Sequence, residues 1–103
     1  MYFGVVFFSQ KYYEEFTAAK WQDYRYYRYM MFDDLSRQHD FVGMNISTVV
    51  EILGEPETDL FMYNEEENRL LYLVRNEGLN QRVLVLETEA GIVTSAELVY
   101  WDW

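Results

Sequence analysis

Cysteine is missing from the chain, and proline, histidine and basic residues are scarce: one Pro, one His and eight Lys plus Arg among 103 residues. Without cysteine there is no disulfide framework, no thiolate nucleophile and no cysteine-ligated zinc site. This absence leaves the cellular compartment open, because proteins without disulfides occur in every compartment. The single histidine, His39, is the only side chain that could act as a histidine base.

The chain has 8 basic and 18 acidic residues, which give it a formal net charge of −10. Nucleic-acid binding depends on Lys and Arg that neutralise phosphates, so the composition disfavours it. Most of the excess acid lies after residue 40, where three arginines are the only bases. Such a region would attract basic partners and repel anionic ones, although solubility is the simpler interpretation.

No apolar run approaches the roughly 20 residues of a membrane-spanning helix, so we expect no membrane span. The apolar segment Met1 to Phe8 lacks a basic region before it and a small-residue cleavage site after it. It is either a remnant of a signal or anchor segment or an ordinary buried strand or docked arm. Without a complete signal we expect a cytoplasmic protein. Residues 1–19 receive no assigned structure, and residues 20–103 form one α+β domain.

Apolar residues make up half of the chain and aromatic residues 19%, a composition typical of a folded domain. The segment Trp21 to Gln38 has apolar side chains at helical spacing and contains neither Gly nor Pro. We therefore predict one amphipathic helix of about four turns. Five of its side chains are expected to face inward: Trp21, Tyr24, Tyr27, Met31 and Leu35.

The best-specified segment is Phe41 to Pro56, which carries both a start signal and a stop signal for a helix. Asn45 is a good N-cap, Ile46, Val49, Val50 and Leu53 form an apolar face, and Gly54 and Pro56 end the helix. From residue 58 the apolar period changes to two. We predict four strands, beginning with Leu60 to Tyr63, joined by turns so short that the strands must be antiparallel. The predicted fold is α+β, with two helices on one face of a four-stranded meander and the other face open.

The motif Gly43-Met44, Val49, Leu53-Gly54 and Pro56 resembles the GM-x₄-V-x₃-LG-x-P signature of small bacterial domains. These are the outer-membrane assembly lipoprotein family BamE (SmpA) and the β-lactamase-inhibitor-protein-like (BLIP-like) fold. The upstream residues Lys20-Trp21, Arg28, Met31 and Asp33-Asp34-Leu35 are similar to an uncharacterised branch with the same signature.

The resemblance implies a helix pair on an antiparallel sheet and a non-enzymatic domain that binds other proteins. It also implies an envelope or periplasmic location as the alternative to the cytoplasm. Thr48 departs from the acidic residue that the family usually has, and the lipobox cysteine of the envelope members is absent. The signature consists of structural positions and transfers no catalytic residue.

No catalytic motif accompanies this framework. The serines lack a G-x-S-x-G elbow, and the acidic pairs are adjacent in sequence rather than spaced for a shared site. Asp33, Asp34, His39 and Asp40 match no metal-binding pattern. We therefore predict no catalytic, cofactor-binding or metal-binding residues.

Three functional hypotheses remain open from the sequence. The first is a protein-interaction domain that binds a protein partner through the exposed sheet face, where a contiguous aromatic patch would include some of Tyr63, Tyr72, Tyr100 and Trp101. The second is a small ligand-binding or enzymatic domain in which two or more of Asp33, Asp34, His39 and Asp40 converge in a pocket. The third is a structural homo-oligomer.

Overall fold

A computed structural model of the chain describes residues 11–102. In chain order these residues form α1 (Ala18–Asp23), a 3₁₀ turn (Arg25–Tyr27), α2 (Arg28–Gln38), α3 (Ile46–Leu53), β1 (Arg69–Glu77), β2 (Asn80–Glu89) and β3 (Ile92–Asp102). Residues 11–14 are also helical. The expectations for Met1 to Phe8 and for Trp103 lie outside the described residues. Within residues 11–102, no helix is both long enough and apolar enough to cross a membrane.

The single helix predicted from Trp21 to Gln38 is divided in the structure. The main chain leaves the helical region at Tyr24 (φ −118°, ψ 65°), and the 3₁₀ turn then leads into α2. Because the two halves are rotated by this break, Tyr24 and Tyr27 are exposed while Arg28 is buried. The predicted inward positions Trp21, Met31 and Leu35 are correct, and the two tyrosines are wrong.

The helix predicted between Asn45 and Gly54 coincides with α3. Asn45 is the N-cap residue, Val49 and Leu53 are fully buried, and the helix ends at Gly54 with φ 82° and ψ −172°. The capping argument differs in one detail, since the described contacts include no hydrogen bond from the Asn45 side chain to the helix.

In the part of the chain that the structure describes, the sheet has three antiparallel strands in the order β1-β2-β3, and the first of the four predicted strands is absent. The segment predicted as the first strand, Leu60 to Tyr63, is a turn in which the Tyr63 N–H donates to the Leu60 oxygen (3.1 Å). Its apolar pattern has another cause. Leu60 is buried and Met62 half-buried because they cover one face of the sheet.

Each face of the sheet is covered by a different part of the chain. The helices pack on the face that carries Tyr72, Leu84, Leu86 and Val93. The opposite face carries Leu71, Leu73, Val83 and Val85, which contact Leu60. The expectation of an open second face is therefore wrong for β1 and β2. Phe16 belongs to the helix-side core, so the folded domain includes residues before position 20.

Candidate functional site: the edge of strand β3

An edge strand carries unpaired main-chain groups that can bind another strand, so the two edges of the sheet are the first places to look for a binding surface. At the β1 edge the main-chain oxygen of Leu71 and both main-chain groups of Leu73 are occupied. The Leu71 oxygen accepts from the Glu57 N–H (2.8 Å), and the Leu73 N–H donates to Glu57 Oε2 (2.6 Å). The Leu73 oxygen accepts from Arg28 Nη1 (3.1 Å). The main chain and side chain of Glu57 and the side chain of Arg28 thus take the place of a neighbouring strand.

The buried Arg28 and partly buried Glu57 side chains form an ion pair that holds this closure together. Arg28 Nε also donates to the Trp21 oxygen (2.8 Å), and its guanidinium lies 4.7 Å from the centre of the Trp21 ring. Burial lowers the pKa of Arg28, and the Glu57 carboxylate acts in the opposite direction. Arg25 adds a second cation beside Glu57, at 3.3 Å from Oε1. The Arg28 guanidinium is thus paired with the Glu57 carboxylate and with main-chain oxygens, and the Glu57 carboxylate is paired with two arginines.

Among residues 11–102, main-chain contacts close the outer edge of β3 at its beginning. The Gly43 N–H donates to the Val93 oxygen (2.8 Å), and the Val93 N–H donates to the Met44 oxygen (2.9 Å). Asn45 and Ile92 form an antiparallel bridge at the same place. The connection between α2 and α3 therefore acts as a short neighbouring strand for the first residues of β3.

Beyond this closure the main-chain groups of alternate residues of β3 point outward, away from β2. The register shift between Glu87 and Thr88 leaves an extra residue in β3, so Val93 shares its side-chain face with Ala96, Leu98 and Tyr100. In a strand, residues whose side chains share a face also direct their N–H and C=O to the same side. The main-chain N–H and C=O groups of Ala96, Leu98 and Tyr100 thus point away from β2, as those of Val93 do. No residue of the described chain 11–102 forms a main-chain hydrogen bond with these three outward-facing positions.

An open groove of about 500 Å³ lies beside this edge, between α2 and β3. Its lining is mainly apolar and comprises Phe32, Leu35, Phe41, Leu84, Ala96 and Leu98. Leu35 and Leu84 are buried at its base, whereas Leu98 remains 43% exposed. The same strand exposes Tyr100 and Ile92. The edge and the groove together form one surface, which we call the β3 surface.

The charged side chains along the groove of the β3 surface are acidic. Asp40 lines the groove together with Ser36 and His39, and Glu97 borders the groove through its position in β3. Among residues 11–102, no lysine or arginine lines it, and no ion pair engages Asp40 or Glu97. Glu97 alternates with Ala96 and Leu98, so its side chain lies on the other face of the sheet. A ligand here would meet apolar side chains on one face and a carboxylate on the other.

The aromatic residues predicted as one contiguous patch are not brought together. Tyr72 is fully buried, and its hydroxyl donates to the Gly54 oxygen (2.8 Å). Burial raises the pKa of Tyr72, with the nearby Glu57 carboxylate acting in the same direction. Tyr72 therefore cannot belong to a partner surface. Tyr63 is exposed, but it lines a smaller groove beside β1 with Arg69.

Tyr100 and Trp101 are the two predicted residues that lie on β3. They are consecutive, so their side chains lie on opposite faces of the sheet. Tyr100 is half exposed and contacts Arg82 and Glu77. Trp101 is partly buried, with its ring 5.4 Å from that of Phe61. Tyr100 is part of the β3 surface, whereas Trp101 contributes to the face that Leu60 and Met62 cover.

The four residues of the second hypothesis, which lie near the end of α2, fall into two groups by position. His39 and Asp40 line the groove, as the second hypothesis required of at least two residues. Asp34 points elsewhere and accepts from the Phe16 N–H (2.8 Å) and from Gln38 Nε2 (2.7 Å), which hold its pKa below the ordinary range. Asp33 does not line the groove.

The groove residues do not form a catalytic arrangement among residues 11–102. The Ser36 hydroxyl donates to the Phe32 oxygen (3.0 Å), a bond within the helix, and the His39 ring contacts Phe16 and Phe41. In the same part of the chain, no group of three metal-ligating side chains is close enough to hold an ion.

Sequence reasoning missed the main elements of this site. The closure at Glu57 has no local signal, because it depends on where the chain passes after α3. Arg28 stood in the same helical row as Trp21, Met31 and Leu35, and that spacing was the available indication that it faces inward. The open edge of β3 could not be recognised while a fourth strand was predicted.

Comparisons with known proteins leave the family of this chain open. No protein-family model matches it, and neither the curated proteins nor the solved structures give a match. The resemblance to the BamE and BLIP-like domains therefore stays an expectation from the motif, and the function must be argued from the β3 surface itself.

Proposed function

We propose that this chain is a non-enzymatic protein-interaction domain that binds a protein partner through the β3 surface. The observation that carries the proposal is the difference between the two sheet edges. The β1 edge is occupied by Glu57 and Arg28, whereas β3 keeps outward main-chain groups beside exposed Leu98 and Tyr100. The resemblance to bacterial interaction domains is consistent with this function.

The composition of the surface supports a protein ligand. Exposed Tyr100 is of a residue type that is enriched at the centre of protein interfaces, exposed Leu98 adds apolar area beside it, and polar residues border the groove, as at the rim of an interface. The groove is open and continuous with a strand edge, so an extended chain fits it better than a small enclosed molecule does.

Leu98→Arg, compared with Leu79→Arg, tests the proposal. Leu79 is a matched control, because it is also an exposed leucine (64%) but lies in the turn between β1 and β2, outside the groove. A photo-crosslinking residue at position 98 first captures and identifies the partner in source cells. Binding of that purified partner is then measured with both variants by titration calorimetry.

We expect Leu98→Arg to weaken binding by at least about tenfold, the loss typical of a central interface residue. Leu79→Arg should stay within about twofold of the unchanged chain. Circular dichroism confirms that both variants are folded. No crosslinked protein at position 98, or equal losses for the two variants, would overturn the proposal.

A further inference from the structure

The geometry points to the kind of partner: we infer that the β3 surface accepts an extended segment of another protein as a fourth strand. The apolar side chains of this segment fill the groove, and its alternate side chains are basic. The inference rests on the proposed function and specifies how the partner binds.

Three features of the main chain support strand addition. Ala96, Leu98 and Tyr100 direct their N–H and C=O away from β2, and no described residue binds them. A strand laid along residues 94–102 would pair with all three positions. At its end it would meet residues 43–45, which already occupy the edge at Val93 and so limit how far the added strand can slide.

The side chains determine which sequence fits. A residue paired with Leu98 places its own side chain on the groove face, where Phe32 and Leu35 form an apolar wall. The next residue of the added strand points to the other face and lies beside Glu97. Opposite charges across neighbouring strands are favourable, so lysine or arginine fits that position. An alternating apolar and basic strand satisfies both faces.

Charge also decides between a second copy and a different protein. Two copies joined at β3 would bring together chains of net charge −10, and they would place two Glu97 carboxylates at the same interface. Like charges across strands destabilise pairing. A basic segment is instead attracted to Glu97 and Asp40, neither of which has a cationic partner within the described residues. We therefore assign the site to a basic segment of another protein.

The test uses a synthetic peptide of alternating lysine and valine, about nine residues long to match the open length of β3. Three control peptides separate the contributions. One has glutamate in place of lysine, one has the same residues in two blocks, and one has N-methylated amides that cannot pair with a strand. Affinity is measured by titration calorimetry with the full-length chain, and amide hydrogen exchange is followed by NMR.

At a peptide concentration about ten times Kd, we expect exchange of the Ala96, Leu98 and Tyr100 amides to slow about tenfold. Glu97 and Val99 should change little, because their N–H groups face β2. The glutamate, block and N-methylated peptides should each bind at least about tenfold more weakly. If the contact were purely electrostatic, the block peptide would bind as tightly as the alternating peptide. Hydrogen exchange of the Ala96, Leu98 and Tyr100 amides would then not slow selectively.

The matched charge variants are Glu97→Lys and Glu51→Lys, which change the net charge equally. Glu51 is exposed on α3 and does not line the groove. We expect Glu97→Lys to weaken binding of the lysine–valine peptide about three- to tenfold and Glu51→Lys to stay within about twofold. Equal losses would overturn the role of Glu97.

Other occupants of the edge have distinct signatures in the same experiment. Protection of the three amides without peptide that increases with protein concentration indicates a second copy. Concentration-independent protection that disappears when residues 1–10 are deleted indicates the chain's own N-terminal segment. Either result overturns the inference. If Leu98→Arg abolishes binding of the crosslinked partner while the three amides stay unprotected in that complex, the proposed function holds and strand addition is wrong.

Discussion

Arg28 shows how one side chain can link three segments of a small fold. Its guanidinium binds the Trp21 oxygen, the Leu73 oxygen and the Glu57 carboxylate, and it lies over the Trp21 ring. A buried cation is tolerated only when its donors are satisfied and its charge is paired. Here the partners include the main-chain oxygens of Trp21 and Leu73. The residue therefore both closes the β1 edge and fixes the position of α2.

Arg28→Ala should lower the free energy of unfolding by about 3–5 kcal/mol, since it leaves the Glu57 carboxylate without its buried partner. Arg25→Ala is the matched control, because the Arg25 side chain is 30% exposed and also pairs with Glu57. We expect it to cost about 1 kcal/mol or less. Urea unfolding at pH 7 measures both values, and equal losses would contradict the assigned role of Arg28.

Asp34 ties the segment before α1 to α2 and should make stability depend on pH. Hydrogen bonds from Phe16 N–H and Gln38 hold its pKa below the ordinary value. A carboxyl group with a lower pKa in the folded state stabilises the fold above its unfolded pKa of about 3.9. That contribution is lost as the pH falls through the lower, folded value.

The measurement is urea unfolding of the unchanged chain and of Asp34→Asn at pH 7 and at pH 3. We expect the unchanged chain to be the more stable at pH 7 and the difference to shrink at pH 3. A difference that is the same at both pH values would show that the Asp34 charge contributes nothing to stability.

At the scale of elements, α3 and the helical segment before it show where local signals succeed and fail. The ends of α3 were predictable because a capping residue and a left-handed glycine act within a few residues of chain. The break at Tyr24 has no such signal, since no Gly or Pro is present. It follows from tertiary contacts. Tyr13 packs against Tyr24 and Tyr27, and Arg28 turns inward to the Trp21 oxygen.

Gly54, the residue directly after α3, should not tolerate a side chain. Its φ of 82° with ψ of −172° lies in a region that only glycine occupies readily, and an added Cβ would lie 3.0 Å from Gln22 Cγ. We expect Gly54→Ala to lower the free energy of unfolding by about 1–3 kcal/mol. The measurement is thermal or urea unfolding.

Gly78→Ala is the control, because Gly78 also has a positive φ (69°) but nothing lies within 4 Å of a Cβ there. It should cost about 1 kcal/mol, the penalty of the left-handed conformation alone. A loss at Gly54 no larger than that at Gly78 would contradict the role given to the extended ψ and to the contact with Gln22.

At the scale of the whole molecule, the two edges of the sheet differ in how far other described residues cover them. Edge strands are commonly protected by charge, proline or a covering segment. The chain provides such cover for β1 through Glu57 and Arg28, and for the first residues of β3 through Gly43 and Met44. The rest of β3 has no described cover, and a net charge of −10 opposes pairing between copies. Within the described residues, the sheet thus combines an uncovered stretch of β3 with a net negative charge that disfavours pairing between two copies of the chain.

The sequence by itself determined the α+β class, the limits of α3 and the antiparallel meander from β1 to β3. These depend on short-range rules: apolar period, capping, left-handed glycine and short connections. The tertiary structure decided the break at Tyr24, the use of Leu60 and Met62 as a cover instead of a strand, and the burial of Tyr72 and Arg28. It also left Ala96, Leu98 and Tyr100 without outward main-chain partners among residues 11–102. These outcomes depend on contacts between residues far apart in the chain, which no local pattern encodes.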